Sequence, residues 1–261
     1  RARESDVGYG YDETRSGGDL RLGKELGEFD RADLVYTLEG VDISDVADNA
    51  SSDLKMEEGA NTISSLGLKF AHDTRNNLYN PSEGFFSLAT ADYAGGFLGG
   101  DKNFLRYTLG GSTFFSPLKQ NVLEFRLKTG AIDDFNNSGV PIYERFFAGG
   151  ANTIRGYKER RVGPRDPNTD DPIGGKSMLL ATVEYTVPIV KVLKAAAFFD
   201  TGNVWPTVGE LGGGDFKSGA GLGARVKTPL GPVRLDYGFP LDSVKGEEKK
   251  GRFHFSMSRG F

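Results

Sequence analysis

The chain has 261 residues, a formal net charge of −4, 37 glycines, 11% aromatic residues and no cysteine. Without cysteine there is neither a disulfide framework nor a thiolate metal site, and the mild charge leaves no electrostatic footprint for nucleic acid. Abundant glycine and aromatics over many short segments point to β structure, in one large domain or two small ones.

In chain order, hydrophobic alternation predicts about twelve strands, over residues 5–14, 19–26, 32–43, 63–73, 84–94, 103–116, 121–132, 176–187, 193–204, 216–228, 232–239 and 252–261. Leu123, Phe125 and Leu127 share one face, with Glu124, Arg126 and Lys128 on the other. Leu179, Ala181, Val183 and Tyr185 oppose Leu180, Thr182 and Glu184, while Val233, Leu235, Tyr237 and Phe239 oppose Arg234, Asp236 and Gly238. No run approaches the length of a transmembrane helix. The acidic stretch 48–59 lacks calcium-loop spacing and is expected to be a solvated loop. His72 and His254 lie far apart and are expected to be polar strand residues, with no metal site. The chain begins at Arg1 without a methionine and reads as a processed or truncated piece.

This alternation fits a soluble sandwich, whose apolar face is core, and equally a transmembrane barrel, whose apolar face meets lipid. Three features favour the barrel. The strands approach the length a tilted strand needs to cross a bilayer. Connections alternate between short, proline-marked turns (76–83, 117–120, 188–192, 229–231) and longer polar links (42–61, 95–102, 131–175, 206–215, 240–251). Short turns on one rim and long loops on the other are the barrel pattern, with the short turns periplasmic. The last strand alternates Phe253, Phe255 and Met257 against His254, Ser256 and Ser258, and Phe261 ends the chain. An even strand count puts both termini on the periplasmic side. Phenylalanines, tyrosines and Trp205 near strand ends are expected in the interfacial aromatic belt.

The longest link, about 131–176, carries Phe146-Phe147-Ala148-Gly149-Gly150-Ala151-Asn152-Thr153-Ile154-Arg155-Gly156-Tyr157. Apolar side chains in a loop imply that it packs against something, and the glycine after Arg155 permits a tight turn or a close approach. An ordinary surface loop is the plain alternative, since Arg-Gly-Tyr alone is weak evidence.

These residues, followed by Gly163-Pro164, resemble the sixth extracellular loop of the BamA-type outer-membrane assembly family. The resemblance continues in the strand from Gly175 to Tyr185 and in Phe198-Phe199-Asp200-Thr201-Gly202-Asn203-Val204-Trp205. It extends through Gly219 to Gly223, the turn Pro229 to Pro232 and the terminal strand, with Asp73 to Gly84 similar to a periplasmic turn. It is strong from about Asp73 to Phe261 and weak before that.

It implies an all-β fold: a transmembrane antiparallel β-barrel, one domain over 1–261, with the long loop folded into the lumen. The family barrel has sixteen strands preceded by POTRA modules. Here about twelve strands and no POTRA module are expected, so either the first four strands are absent from this piece or the chain is a smaller relative. An arginine inside a lumen needs an acceptor. Glu184 and Asp200 lie on the inward phase of neighbouring strands, within a residue or two of register, and a guanidinium fork suits such a pair. In the family the matching arginine meets the matching acids; otherwise both carboxylates simply face lumen water.

By resemblance the chain folds and inserts outer-membrane β-barrel proteins in the bacterial outer membrane, without nucleotide hydrolysis. Its partners would be outer-membrane lipid, unfolded barrel precursors and accessory assembly lipoproteins. The alternatives are a two-partner-secretion translocation pore and a passive pore, the latter opposed by a plugged lumen. No catalytic triad, phosphate loop or metal spacing supports an enzyme, and no cofactor is implied. Gly219 to Gly223 read as small inward residues of a barrel strand.

Overall fold

The computed structural model describes residues 2–6, 11–136, 138–228 and 231–257. Twelve strands follow one another as a single antiparallel meander. They are β1 (Ala2–Asp6), β2 (Asp12–Glu25), β3 (Asp30–Ser44), β4 (Gly59–Asp73), β5 (Gly84–Ala94), β6 (Phe104–Phe115), β7 (Val122–Asp134), β8 (Ser177–Val190), β9 (Leu193–Trp205), β10 (Lys217–Thr228), β11 (Gly231–Pro240) and β12 (Arg252–Met257). Among the described residues β1 pairs with β2 alone and β12 with β11 alone, so the described sheet is open between them.

The faces are those of a membrane barrel. Leu20, Leu22, Leu68, Tyr107, Leu109, Leu127, Leu222, Phe239, Phe253 and Phe255 all point outward and are exposed. Glu184, Asp200 and Asp236 point inward and are buried. Among the described residues no helix is long and apolar enough to cross a membrane; crossing is by strands, whose backbone groups are satisfied by their neighbours. Buried apolar side chains lie inside the lumen, where loops fill it. One cluster joins Val41, Ile43, Leu54, Ile63, Phe104 and Ile132 of the wall and the β3–β4 link to Val140 and Ile142 of the long loop. The other joins Ala148, Ile154, Tyr157 and Val162 of that loop to Met178, Leu180 and Val204 of β8 and β9.

Five expectations need correction. The first strand was expected at 5–14, but Asp6 pairs with Asp12, so that span divides between the antiparallel β1 and β2. The 15–18 link between the first two expected strands lies within β2, where a Cβ on Gly17 would sit 2.3 Å from the Leu38 carbonyl oxygen: the glycine admits a neighbouring backbone. The acidic stretch 48–59 is not simply solvated. It holds a one-turn helix, α1 (Ser52–Lys55), capped by the Ser51 hydroxyl, and its Leu54 is buried against the long loop. Strand β8 continues past Pro188 to Val190 through a register irregularity, as a residue without an N–H requires. Trp205 is buried beside Phe216 with its indole N–H bonded to the Gly213 carbonyl, so it is no belt residue.

A candidate functional site in the lumen

Arg155 is the most heavily bonded side chain of the long loop, and its side chain is only 2% exposed. Its Nε and Nη2 donate to the two oxygens of Asp200 at 2.7 and 2.8 Å, and its backbone N–H donates to Asp200 Oδ2 at 3.0 Å. Nη1 donates to Glu184 at 2.9 Å and to Asp236 at 3.1 Å. The guanidinium carbon stands 3.4 Å from the centroid of the Phe198 ring, so the cation has an aromatic floor as well as a carboxylate rim. Burial by itself would lower the Arg155 pKa; the carboxylates of Asp200, Glu184 and Asp236 outweigh it and hold the group charged.

The register explains how acids from three strands converge. In the β8–β9 pair Glu184 faces Phe198 and Thr182 faces Asp200, which places both carboxylates inward, two residues apart. Strand β10 separates β9 from β11, and its inward stripe is Gly219, Gly221 and Gly223. A Cβ there would come within 2.0 Å of the Arg155 carbonyl oxygen, 2.5 Å of the Phe198 ring and 1.9 Å of an Asp236 oxygen, respectively. The bare stripe is the floor over which the arginine reaches Asp236.

The wall supplies two more cations. Arg225 of β10 forks onto Glu184 at 2.8 and 2.7 Å and donates to Asp236 at 2.6 Å. Arg234 of β11 donates to Glu184 at 3.2 Å. Three guanidiniums and three carboxylates therefore balance in a buried cluster, the condition under which buried charge is tolerable.

The neighbouring residues fix the loop's path. Gly156 adopts φ 99°, and a Cβ there would sit 2.7 Å from the β11 backbone at Phe239, so both conformation and space require glycine. Its N–H donates to His254 Nε2 of β12 at 2.8 Å. The Tyr157 hydroxyl lies 2.9 and 3.0 Å from the carbonyls of Ser218 and Asp242 and accepts from the Asp242 N–H; burial raises its pKa. Ile154 is fully buried in the second lumen cluster. Gly149 and Gly150 take left-handed conformations where the loop doubles back on Lys158 and Glu159. Phe253 and Phe255 face outward on β12, away from this cluster, and Phe261 lies outside the described residues.

Sequence reasoning missed Asp236, Arg225, Arg234, Phe198 and His254. The signal for the first three was parity: Asp236 and Arg234 share the polar phase of their strand, as Arg225 does in β10.

A family model described as the Omp85 superfamily domain matches residues 1–261. The chain belongs to the Omp85 superfamily. Its sequence is 33% identical over 249 residues to the outer membrane protein assembly factor BamA of Nitratidesulfovibrio vulgaris, covering 94% of this chain and 32% of that protein. Among solved structures, BamA from Haemophilus ducreyi lacking POTRA domains 1–3 superposes with a TM-score of 0.80 at 18% identity, covering 97% of this chain and 56% of the other. CdiB from Acinetobacter baumannii superposes less well, with a TM-score of 0.61 at 16% identity over 94% of this chain and 42% of the other. This Omp85 chain thus spans about a third of the BamA relative it matches in sequence, and the arginine cluster lies inside an Omp85 barrel wall.

Proposed function

We propose that the chain is the barrel portion of an outer-membrane β-barrel assembly factor of the bacterial outer membrane. In this reading it folds and inserts unfolded barrel precursors, in contact with outer-membrane lipid and accessory assembly lipoproteins, without nucleotide hydrolysis. The observation that carries the reading is the 33% identity to a BamA assembly factor across 94% of the chain. The physical basis is that an open sheet edge in lipid leaves backbone N–H and C=O groups unpaired, and an incoming strand satisfies them. The role we give the loop motif is to hold the lumen filled: Arg155, bound to Glu184 and Asp200, keeps Ile154, Gly156 and Tyr157 seated against the wall that ends in the terminal strand. A passive pore is the weaker reading, because this loop occupies the conducting path.

The test is reconstitution of the complete protein in liposomes with an unfolded barrel precursor. Faster appearance of folded precursor than in empty liposomes supports the reading. Equal rates, with ion conductance that needs no loop movement, would replace it with a pore.

A further inference from the structure

The long loop has a second anchor, opposite in sign to the first and fixed to the opposite side of the sheet. Glu144 lies in a single 3-10 turn, Ile142–Glu144, twelve positions before Gly156. Its carboxylate is only 8% exposed. It accepts from Arg15 of β2 at 3.1 Å and from Arg106 of β6. The same two arginines donate to loop carbonyls, Arg15 to Tyr143 at 3.3 Å and Arg106 to Glu144 at 3.2 Å. At the other end of this segment, Arg155 holds β8, β9 and β11, and Gly156 holds β12. At one end the loop presents an anion to wall cations; at the other it presents a cation to wall anions.

The segment between the anchors is braced. Phe146 exchanges two backbone hydrogen bonds with Gly175, at 2.9 and 3.0 Å, and the Ala148 carbonyl accepts from the Val162 N–H at 3.0 Å. The Arg160 guanidinium lies 4.4 Å over the Phe147 ring. Beside Glu144, Arg145 donates to Asp53 of α1 at 2.6 Å and to the carbonyls of Val140 and Ile173. A chain tied in this way passes on a displacement at one end to the other, which slack chain does not.

We propose that Glu144 is a positioning residue, and that the loop is a crossbar which sets the spacing of the β2–β6 wall from the β9–β12 wall. The two wall arginines differ in what they keep without Glu144. Arg15 also bonds Glu13 and Glu39, so it keeps carboxylate partners without Glu144. Arg106 hydrogen-bonds Glu144 through both its carboxylate and its carbonyl, and Asp92 faces it in register from β5. Loss of Glu144 therefore takes the hydrogen-bonded acceptors from β6, and because an exchanged pair would set like charges against Arg15 and Asp92, the carboxylate-keeping Glu144→Asp is the control. The inference stands apart from the assembly reading, because it concerns a distance between strands and needs no substrate.

The complete protein is spin-labelled at Leu20→Cys on β2 and Phe255→Cys on β12, both outward and exposed in a chain with no native cysteine. Distance distributions are then compared in vesicles. The parent is expected to show one narrow distance. Glu144→Arg should broaden and shift it, and Glu144→Asp, which keeps a carboxylate for both Arg15 and Arg106, should stay near the parent, which a variant that merely unfolds the loop does not do. An unchanged distribution in Glu144→Arg, or a Glu144→Asp variant as disturbed as Glu144→Arg, overturns the proposal.

Discussion

The backbone N–H of Gly156 donates to Nε2 of His254 across 2.8 Å, joining the tip of the loop motif to the last strand 98 residues later. Because the donor is a backbone amide, Nε2 must be the unprotonated ring nitrogen. His254→Phe keeps a ring but leaves the buried Gly156 amide without its acceptor, at about 1–3 kcal/mol. Loop motion should rise first where Gly156 meets β12. Limited proteolysis of the loop in vesicles measures this, and a variant as protected as the parent shows that the contact does not restrain it.

Gly238 tests the closeness of the packing. A Cβ there would sit 2.7 Å from the Gly156 nitrogen, with the loop backbone unable to yield without moving Arg155. Gly238→Ala should cost about 1–3 kcal/mol by overpacking. Gly18, also within a strand, has open space at its Cβ position and is the control. Heat-modifiability midpoints of the two variants should separate, with Gly238→Ala falling well below Gly18→Ala.

Asp200 and Glu184 hold the same arginine but carry different loads. Asp200 serves Arg155 alone among its bonded cations, whereas Glu184 also serves Arg225 and Arg234. Asp200→Asn should chiefly free the loop, seen as faster cleavage between Tyr157 and Asp171. Glu184→Gln should chiefly weaken the wall, by about 3–5 kcal/mol where lumen water does not screen it, seen as a lower unfolding midpoint. Identical profiles for the two would mean that the cluster acts as one undivided unit.

The meander fixes sidedness. Lys119 lies in the β6–β7 turn and Lys249 in the β11–β12 link, both exposed. Lys119→Cys should react with a membrane-impermeant thiol reagent from the periplasmic side alone, and Lys249→Cys from the outer side alone. Labelling of both in intact cells contradicts the strand order.

Much of the wall was legible because period two survives in many of the strands: Leu123, Phe125 and Leu127 read as outward from the sequence and stand outward in the structure. The start of β2 was not, because Gly17-Gly18 has the composition of a turn, and only the Leu38 backbone beside it shows why glycine is needed in a strand. Parity also marked Glu184 and Asp200 as inward. It gave no means of choosing Asp236 as the third acid, since that depends on Arg155 crossing the bare β10 stripe. His254 offered less still: its partner is a backbone amide, which leaves no trace in side-chain pattern. The burial of α1 against the loop was hidden for a related reason, as charged residues, Asp53 and Lys55, flank the single buried residue of the helix, Leu54.

Arg155 holds the loop in the lumen of this Omp85 barrel, and the most direct measurement of that hold compares parent, Arg155→Ala and Arg155→Lys at matched insertion in the same liposomes. Removal of the guanidinium leaves Asp200 without its bidentate cation, a loss of about 3–5 kcal/mol for a buried pair. Lysine restores charge but not the fork, and should recover only part. Precursor folding and loop protection are expected to fall together in Arg155→Ala and to return partly in Arg155→Lys. Parent-like folding rates and parent-like loop protection in Arg155→Ala would contradict this expectation.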